Sequence, residues 1–349
     1  MARDCVALCL IVKNEEKVIA RCIESAAQVA TKVFCIDTGS TDRTVETIVQ
    51  TCKHLELDYK ILSSEWKSFG ENRTELVQAA SGYADWLLLL DADMTISLSD
   101  DFRIPPGYDS FKLWYSGSTR YAQKLLVSSL IPWRYVGRTH EYITTDSPDH
   151  EGATLKGIEV NHHADGSNRA DKWNRDLALL SEDLLDPERQ GQRSRTLFYL
   201  GQTCEDLGRN KEAALFYSER AAAGGWEEER WLAQMRHAKL TKSLEGLLSA
   251  YNARSRRAEP MYYLSELCRH RGLHGPAMIF ARHGCTIARP DDVLFVEDWI
   301  YDWGLLMEES ISMWYCGDRE GSRTTARWLL QNKQLPLHII HTLTNNLEC

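Results

Sequence analysis

Residues 86–94 read Trp-Leu-Leu-Leu-Leu-Asp-Ala-Asp-Met: five apolar side chains running straight into Asp91-Ala92-Asp93. A short continuous apolar run halted by polar residues is the pattern of a strand buried on both faces, as in a parallel sheet covered by helices. Two carboxylates at i and i+2 beyond such a strand can jointly hold a hard divalent cation, Mn2+ or Mg2+. Such an ion would bridge a diphosphate and neutralise charge growing on a leaving group. Read alone, the same three residues also suit a solvated turn at a strand end.

Outward from this stretch, short apolar runs alternate with polar helical segments. Strands are expected at Cys5–Val12, Val33–Asp37, Tyr59–Leu62 and Trp86–Leu90, with helices around Glu15–Val29, Asp42–Lys53 and Gly70–Ala80. The second helix should be capped by Ser40 or Thr41, with Asp42 in its first turn. This β-α-β-α-β-α-β series predicts an α/β, Rossmann-like, mostly parallel sheet with crossover helices. Ligands bind such sheets beyond the carboxyl ends of the strands. Those ends carry Lys13-Asn14-Glu15, Asp37-Thr38-Gly39-Ser40 and Asp91-Ala92-Asp93. No GxGxxG or GxxxxGK[ST] occurs there, which argues against dinucleotide-cofactor and P-loop readings.

From about Trp173 the texture becomes helical, rich in Leu, Ala and Trp. Leu197–Tyr217 aligns with Met261–Ala281, matching Tyr199/Tyr263, Leu200/Leu264, Cys204/Cys268, Gly208/Gly272, Ala213/Ala277 and Phe216/Phe280. Leu197, Leu200, Gly201, Ala213 and Tyr217 fit the helix-turn-helix pattern of a tetratricopeptide repeat of about 34 residues. The unit between, around Trp226–Lys239, reads as degenerate. A chain of 349 residues exceeds one ordinary core, and two domains are expected: 1–175, carrying the α/β sheet and its ligand-binding strand ends, and 176–349, all-α and tetratricopeptide-like. The repeats either present a peptide or another subunit, or serve as scaffold.

The ten cysteines are scattered, without CxxC, and read as reduced thiols in a cytoplasm, bacterial or that of a phage-infected host. Cys5, Cys9 and Cys35 lie in apolar runs as small hydrophobes. No apolar run approaches the roughly 20 residues of a spanning helix, so no membrane span is expected. A net charge of −9 disfavours nonspecific nucleic-acid coating, although Arg254, Arg256 and Arg257 form a local basic cluster. The aromatic stretch Trp299–Tyr315 suits either repeat core or a homo-oligomer face.

The segments LCLIVKNEEKVIARCIES (8–25), VFCIDTGSTDRT (33–44) and WLLLLDADM (86–94) resemble the first, second and fourth strand motifs of family 2 glycosyltransferases of the GT-A fold. The resemblance covers roughly residues 5–165. With the appended helices, the chain looks similar to sublancin-type S-glycosyltransferases and to phage-encoded transferases.

The resemblance implies an inverting hexosyltransferase that uses a nucleotide sugar, with UDP as the expected nucleotide. It places Glu15 and Asp37 around the nucleoside, Asp37 accepting from the uracil imide, and Arg73 near base or diphosphate. Asp91 faces ribose or a metal-bound water, and Asp93 ligates the metal with Asp91. Val12, Asn14, Gly39 and Ala92 complete the donor-binding set. The run Trp133–Glu141 looks like a W-x-G-x-x-H-E stretch, making Glu141 the expected general base and His140 the second choice. Of the pair His162-His163, His163 is the expected third metal ligand. Adjacent strand residues face opposite ways, so only one ring can ligate.

The acceptor expected is macromolecular, a peptide or protein, with hydroxymethylated phage DNA bases as the alternative. A catalytically inactive repeat-containing binding protein is the reading from another class. A nucleotidyltransferase, using the same strand-end acids, would instead release pyrophosphate.

Overall fold

The apolar runs become strands because only full burial on both faces suits them. β1 (Val6–Val12), β2 (Lys32–Asp37), β3 (Asp58–Ser63) and β4 (Trp86–Leu89) pair in parallel, joined by α1 (Ile19–Ala26), α2 (Thr44–His54) and α3 (Phe69–Ala79). The structure, a computed structural model, describes residues 5–117, 121–148, 151–166 and 172–348. Val12 lies opposite Asp37 and Asp37 opposite Ser63, so the polar strand ends meet at one edge.

Two helices start later than expected, for one reason. Asn14 sits at a left-handed φ of 58°, and the amides of Asn14, Glu15 and Glu16 donate to Ser40, Thr44 and Asp42 of the neighbouring loop. With those donors engaged sideways, α1 begins at Ile19 rather than Glu15. Asp42 precedes α2, its carboxylate accepting from the Thr44 amide at 3.0 Å, and neither Ser40 nor Thr41 caps the helix.

The sheet continues beyond the strands expected from sequence. β5 (Met94–Leu98), β6 (Ser110–Tyr115), β7 (Tyr121–Ser128) and β10 (Glu151–His162) give the order β3-β2-β1-β4-β7-β6-β10-β5. β4 meets β7 antiparallel, and β10 returns antiparallel to β5 with His162 opposite Met94. β8 (Arg134–Val136) and β9 (Tyr142–Thr144) form a separate hairpin. The core beneath the sheet includes Leu8, Leu10, Ile23, Phe34, Ile36 and Leu88. Cys9 and Cys35 are buried in it, and burial pushes both thiols well up, as expected of small hydrophobes.

The chain divides into two compact units after Arg193, whereas its texture changes near Trp173. α4 (Lys172–Leu185) therefore belongs with the sheet. The second unit holds α5 (Arg193–Asp206), α6 (Asn210–Ala222), α7 (Glu227–Leu240), α8 (Leu244–Ala253), α9 (Glu259–His270), α10 (His274–Gly284), α11 (Leu305–Tyr315), α12 (Arg319–Asn332) and α13 (Leu337–Glu348). From α6 to α13 each packs on the next, as stacked helical hairpins do, and Phe198 and Gly201 of α5 lie against Tyr217 of α6.

The hairpin corners repeat. Gly208 and Gly272 both take φ 73°, and the residues after them donate back to Cys204 and Cys268. This is a Schellman-type helix end, which favours glycine. The unit expected to be degenerate forms a complete pair, α7 and α8, with Lys242 forced to φ 52° at the same corner. Most of Trp299–Tyr315 is repeat core: Trp303 and Met307 pack with Leu329 and Leu343. Tyr315 is exposed and stacks on His274.

Between α10 and α11 the chain crosses the first helices of three successive pairs. Phe295 stacks over Phe198 of α5, Glu228 of α7 accepts from the Val293 and Leu294 amides, and Tyr263 of α9 donates to Glu297. Arg254 and Arg257 are not a free basic patch. Asp292 accepts from both, Glu259 also holds Arg257, and Arg256 pairs with Asp292 from outside. Among the described residues no helix is long and apolar enough to cross a membrane.

Candidate active site

The first two strand ends are laced together. Both lone pairs of the Val12 carbonyl are taken, by the Thr38 amide at 2.9 Å and the Thr38 hydroxyl at 3.0 Å. Val12 can therefore shape a ligand pocket but has no acceptor left to offer. Gly39 turns the chain at φ 99°, which suits glycine. The Ser40 amide and hydroxyl both donate to Asp37, at 3.1 and 2.5 Å. Asn14 accepts from the Thr41 amide at 2.7 Å, and the Glu15 amide donates to Thr44 at 2.6 Å. Asp37 and Glu15 are half-buried at this edge.

α3 delivers the cation. Ser68 is its N-cap, its hydroxyl accepting from the Glu71 amide and donating to the Glu71 carboxylate. One turn on, Arg73 pairs through Nη2 with Asp91, and its Nε lies 2.7 Å from Glu141. Nε makes no hydrogen bond, so its pairing with Glu141 is coulombic. The guanidinium lies over the Tyr135 ring at 5.7 Å. Burial alone would favour losing its proton, but Asp91 and Glu141 outweigh this and hold it firmly charged.

Ala92 is buried, and the acids on either side of it meet different neighbours, Asp91 the Arg73 guanidinium and Asp93 the His162 ring. Asp93 accepts from the Gly166 amide at 3.2 Å and lies 3.3 Å from the His162 ring. Burial pushes the Asp93 carboxyl up, yet His162 and the Gly166 amide bring it below the usual carboxylate range. The histidine expected here was His163. Its amide donates to the Asp93 carbonyl, but its ring bonds Thr95 at 2.8 Å, so strand alternation gives His162 the acid.

No group of three His, Cys, Asp or Glu side chains that could hold a metal occurs among the described residues. Asp93 with His162 nonetheless suits an ion whose remaining ligands are phosphate oxygens and water, the usual manner of Mg2+. The imidazole leans the preference toward Mn2+. An all-protein cage does not fit.

Glu141 and His140 sit on the β8–β9 hairpin, whose tip is Gly137–Glu141. Trp133 anchors it, donating to the Ser128 carbonyl at 2.8 Å, and the Tyr135 amide donates to Thr74 of α3 at 2.8 Å. Gly70 lets α3 press on the tip: a Cβ there would lie 2.1 Å from the Gly137 carbonyl. Gly137 at φ 106° and His140 at φ 49° turn the chain at either side of the tip. Asp176 and Asp183 of α4, which the sequence reading missed, reach the same tip. With Leu180 they occupy the buried stripe of α4, where apolar residues are the rule, so acids at these positions read in the sequence as part of a solvated face.

Residues 7–102 match the family described as glycosyl transferase family 2. A TPR repeat-containing protein of Synechococcus elongatus is 35% identical over 94 residues, 27% of this chain and 21% of that protein. The chain thus spans about a fifth of that relative's length. Among solved structures, a thermophilic TPR protein from Thermus thermophilus superimposes with TM-score 0.36 at 13% identity, covering 52% of this chain and 93% of that one. TarS of S. aureus gives TM-score 0.34 at 11% identity, covering 72% and 55%.

Proposed function

From a chain that carries a glycosyl transferase family 2 domain at residues 7–102, we propose a metal-dependent, inverting transfer of a sugar from a UDP-sugar to a peptide or protein acceptor. The observation that carries this is Arg73, which bridges Asp91 of the acidic strand end to Glu141 of the hairpin tip. A donor-side acid and the expected base are thereby held at two neighbouring nitrogens of one guanidinium.

Asp37 and Glu15 take the nucleoside end, beside the turn that Gly39 makes. Asp93 with His162 would hold a divalent cation, with Asp91 beside them paired to Arg73, and the cation would supply electrostatic stabilisation to the departing diphosphate. Arg73 adds positive charge beside it. Glu141 receives the proton of the acceptor as its oxygen or sulfur bonds to the anomeric carbon. The bond to the diphosphate breaks on the opposite face, its electron pair leaving with the phosphate oxygen, which inverts the centre. The stacked helical pairs offer an extended surface of the kind that holds peptides. The buried free thiols support a reducing compartment.

Calorimetry and thermal shift with UDP-, GDP-, dTDP- and CMP-sugars, with and without Mn2+, test the reading. A uridine sugar that binds only with metal is the expected result. Failure of every nucleotide to bind would overturn the transferase assignment and favour a binding protein.

A further inference from the structure

The hairpin tip has a shape it would not keep alone. His140 is a non-glycine residue at φ 49° beside Gly137 at φ 106°, a conformation costing on the order of 1 kcal/mol for an L-residue. Such backbone persists where neighbours over-determine it. Two of the neighbours are acids. Asp183 accepts from the Arg138 amide at 3.3 Å and from its guanidinium at 3.0 Å, and Asp176 accepts from the Thr139 hydroxyl at 3.1 Å. Arg138 and Thr139 immediately precede His140 and Glu141.

Both carboxylates are buried on the face that α4 turns inward, with Leu180 between them. A helix that needed only to pack would carry apolar side chains there, since buried carboxylates are costly unless hydrogen-bonded. Asp183 is met by Arg138 and by Arg189 at 3.4 Å. Burial raises the Asp176 carboxyl, opposed by Lys172, the Thr139 hydroxyl and Arg175. What the two acids gain from the arrangement is directional: they fix two consecutive residues of the tip against one rigid helix.

We propose that α4 is the clasp of the active site, with Asp183 and Asp176 as positioning residues that hold the tip so that Glu141 faces Arg73 and the substrate. The inference deepens the base assignment for Glu141 and rests on it for its catalytic consequence. It also makes the catalytic unit run through α4, past the point at which the sequence turns helical.

The test uses the full chain with Asp183→Asn, with Ser181→Ala on the outer face of α4 as control. Amide exchange is followed over residues 134–142 and over β1–β4, together with nucleoside diphosphate release from UDP-glucose, UDP-galactose and UDP-GlcNAc with Mn2+. Asp183→Asn is expected to speed exchange at the tip about tenfold while β1–β4 stay protected, and to lower kcat by about tenfold to a hundredfold with donor KM nearly unchanged. Exchange that rises throughout the sheet would reduce the acids to general stability, and unchanged tip exchange would refute the clasp.

If Asp183→Asn does not fold, Thr139→Val removes one clasp bond with little change of shape and is judged by the same two readouts. Glu141→Gln separates the two ideas: full turnover in that variant would refute the base, leaving the tip-exchange result to decide the clasp.

Discussion

Arg73 in the α/β unit and Arg257 in the helical unit are both buried, and each lies between two carboxylates, yet their surroundings differ. Arg257 has Glu259 and Asp292, both sealed from solvent, and its remaining N–H groups reach the Leu294 and Phe295 carbonyls. Every donor is answered from within the unit. Arg73 has Glu141, largely buried, but also Asp91, whose side chain is 36% exposed, and its Nε is left without a hydrogen bond. The first arrangement closes a segment onto a solenoid. The second lies at the polar ends of buried strands and keeps Asp91 on an open side, which is where a charged ligand can exchange with the protein's own ion pairs.

The contrast breaks most directly at Glu141 and Asp93. Glu141→Gln should lower kcat at least about a hundredfold, the ordinary worth of a positioned base, while donor affinity changes little. Asp93→Ala should abolish the metal-dependent part of turnover, and neither variant should shift the melting temperature appreciably. Steady-state kinetics with and without EDTA read both effects. Equal loss of kcat and donor affinity in Glu141→Gln would make this residue a binding group, and activity surviving EDTA would remove the cation.

Arg257→Leu should act in the opposite sense. Removing one partner of a sealed pair leaves Glu259 and Asp292 buried without compensation, a loss of about 3–5 kcal/mol. The helical unit should then unfold at much lower denaturant, while donor binding measured below that transition stays intact. A variant with normal stability but impaired donor binding would show that the two arginines are not so different in kind.

How much of this was visible in the sequence follows the same division. The buried strands β1, β2 and β4 announced themselves by continuous apolar runs, and their polar ends marked the edge where Asn14, Asp37 and Asp91 stand. β5, β6, β7 and β10 carry mixed side chains; β5 and β10 pair across the chain, as Met94 finds His162, β7 returns to β4, and the β6–β7 hairpin lacks the continuous apolar runs that marked the first strands. That pairing also decided which histidine faces Asp93, a question of strand phase that two adjacent His residues leave open. The clasp acids Asp176 and Asp183 were hidden because a helical stretch with an acid every second turn reads as a solvated face until its neighbours are known. In the helical unit, the glycines repeated at 208 and 272 located their corners, while Lys242 concealed the α7–α8 corner by filling a glycine position with another residue.

That concealed corner offers the mildest and most precise perturbation of the helical unit. Gly208 and Gly272 show that the hairpin turn calls for a positive φ, which glycine adopts freely and other L-residues at a cost of about 1 kcal/mol. Gly272→Ala should therefore destabilise the unit by about that amount. Lys242→Gly, at φ 52°, should stabilise it by somewhat less, because added flexibility of the unfolded chain offsets part of the relieved strain. The two changes are chemically opposite and structurally equivalent, so they check each other. Chemical denaturation of each variant reads the sign, and donor binding should be indifferent to both. If Lys242→Gly instead lowers stability, the lysine side chain contributes more at its corner than the backbone strain takes away, and that corner is not equivalent to the two glycine corners.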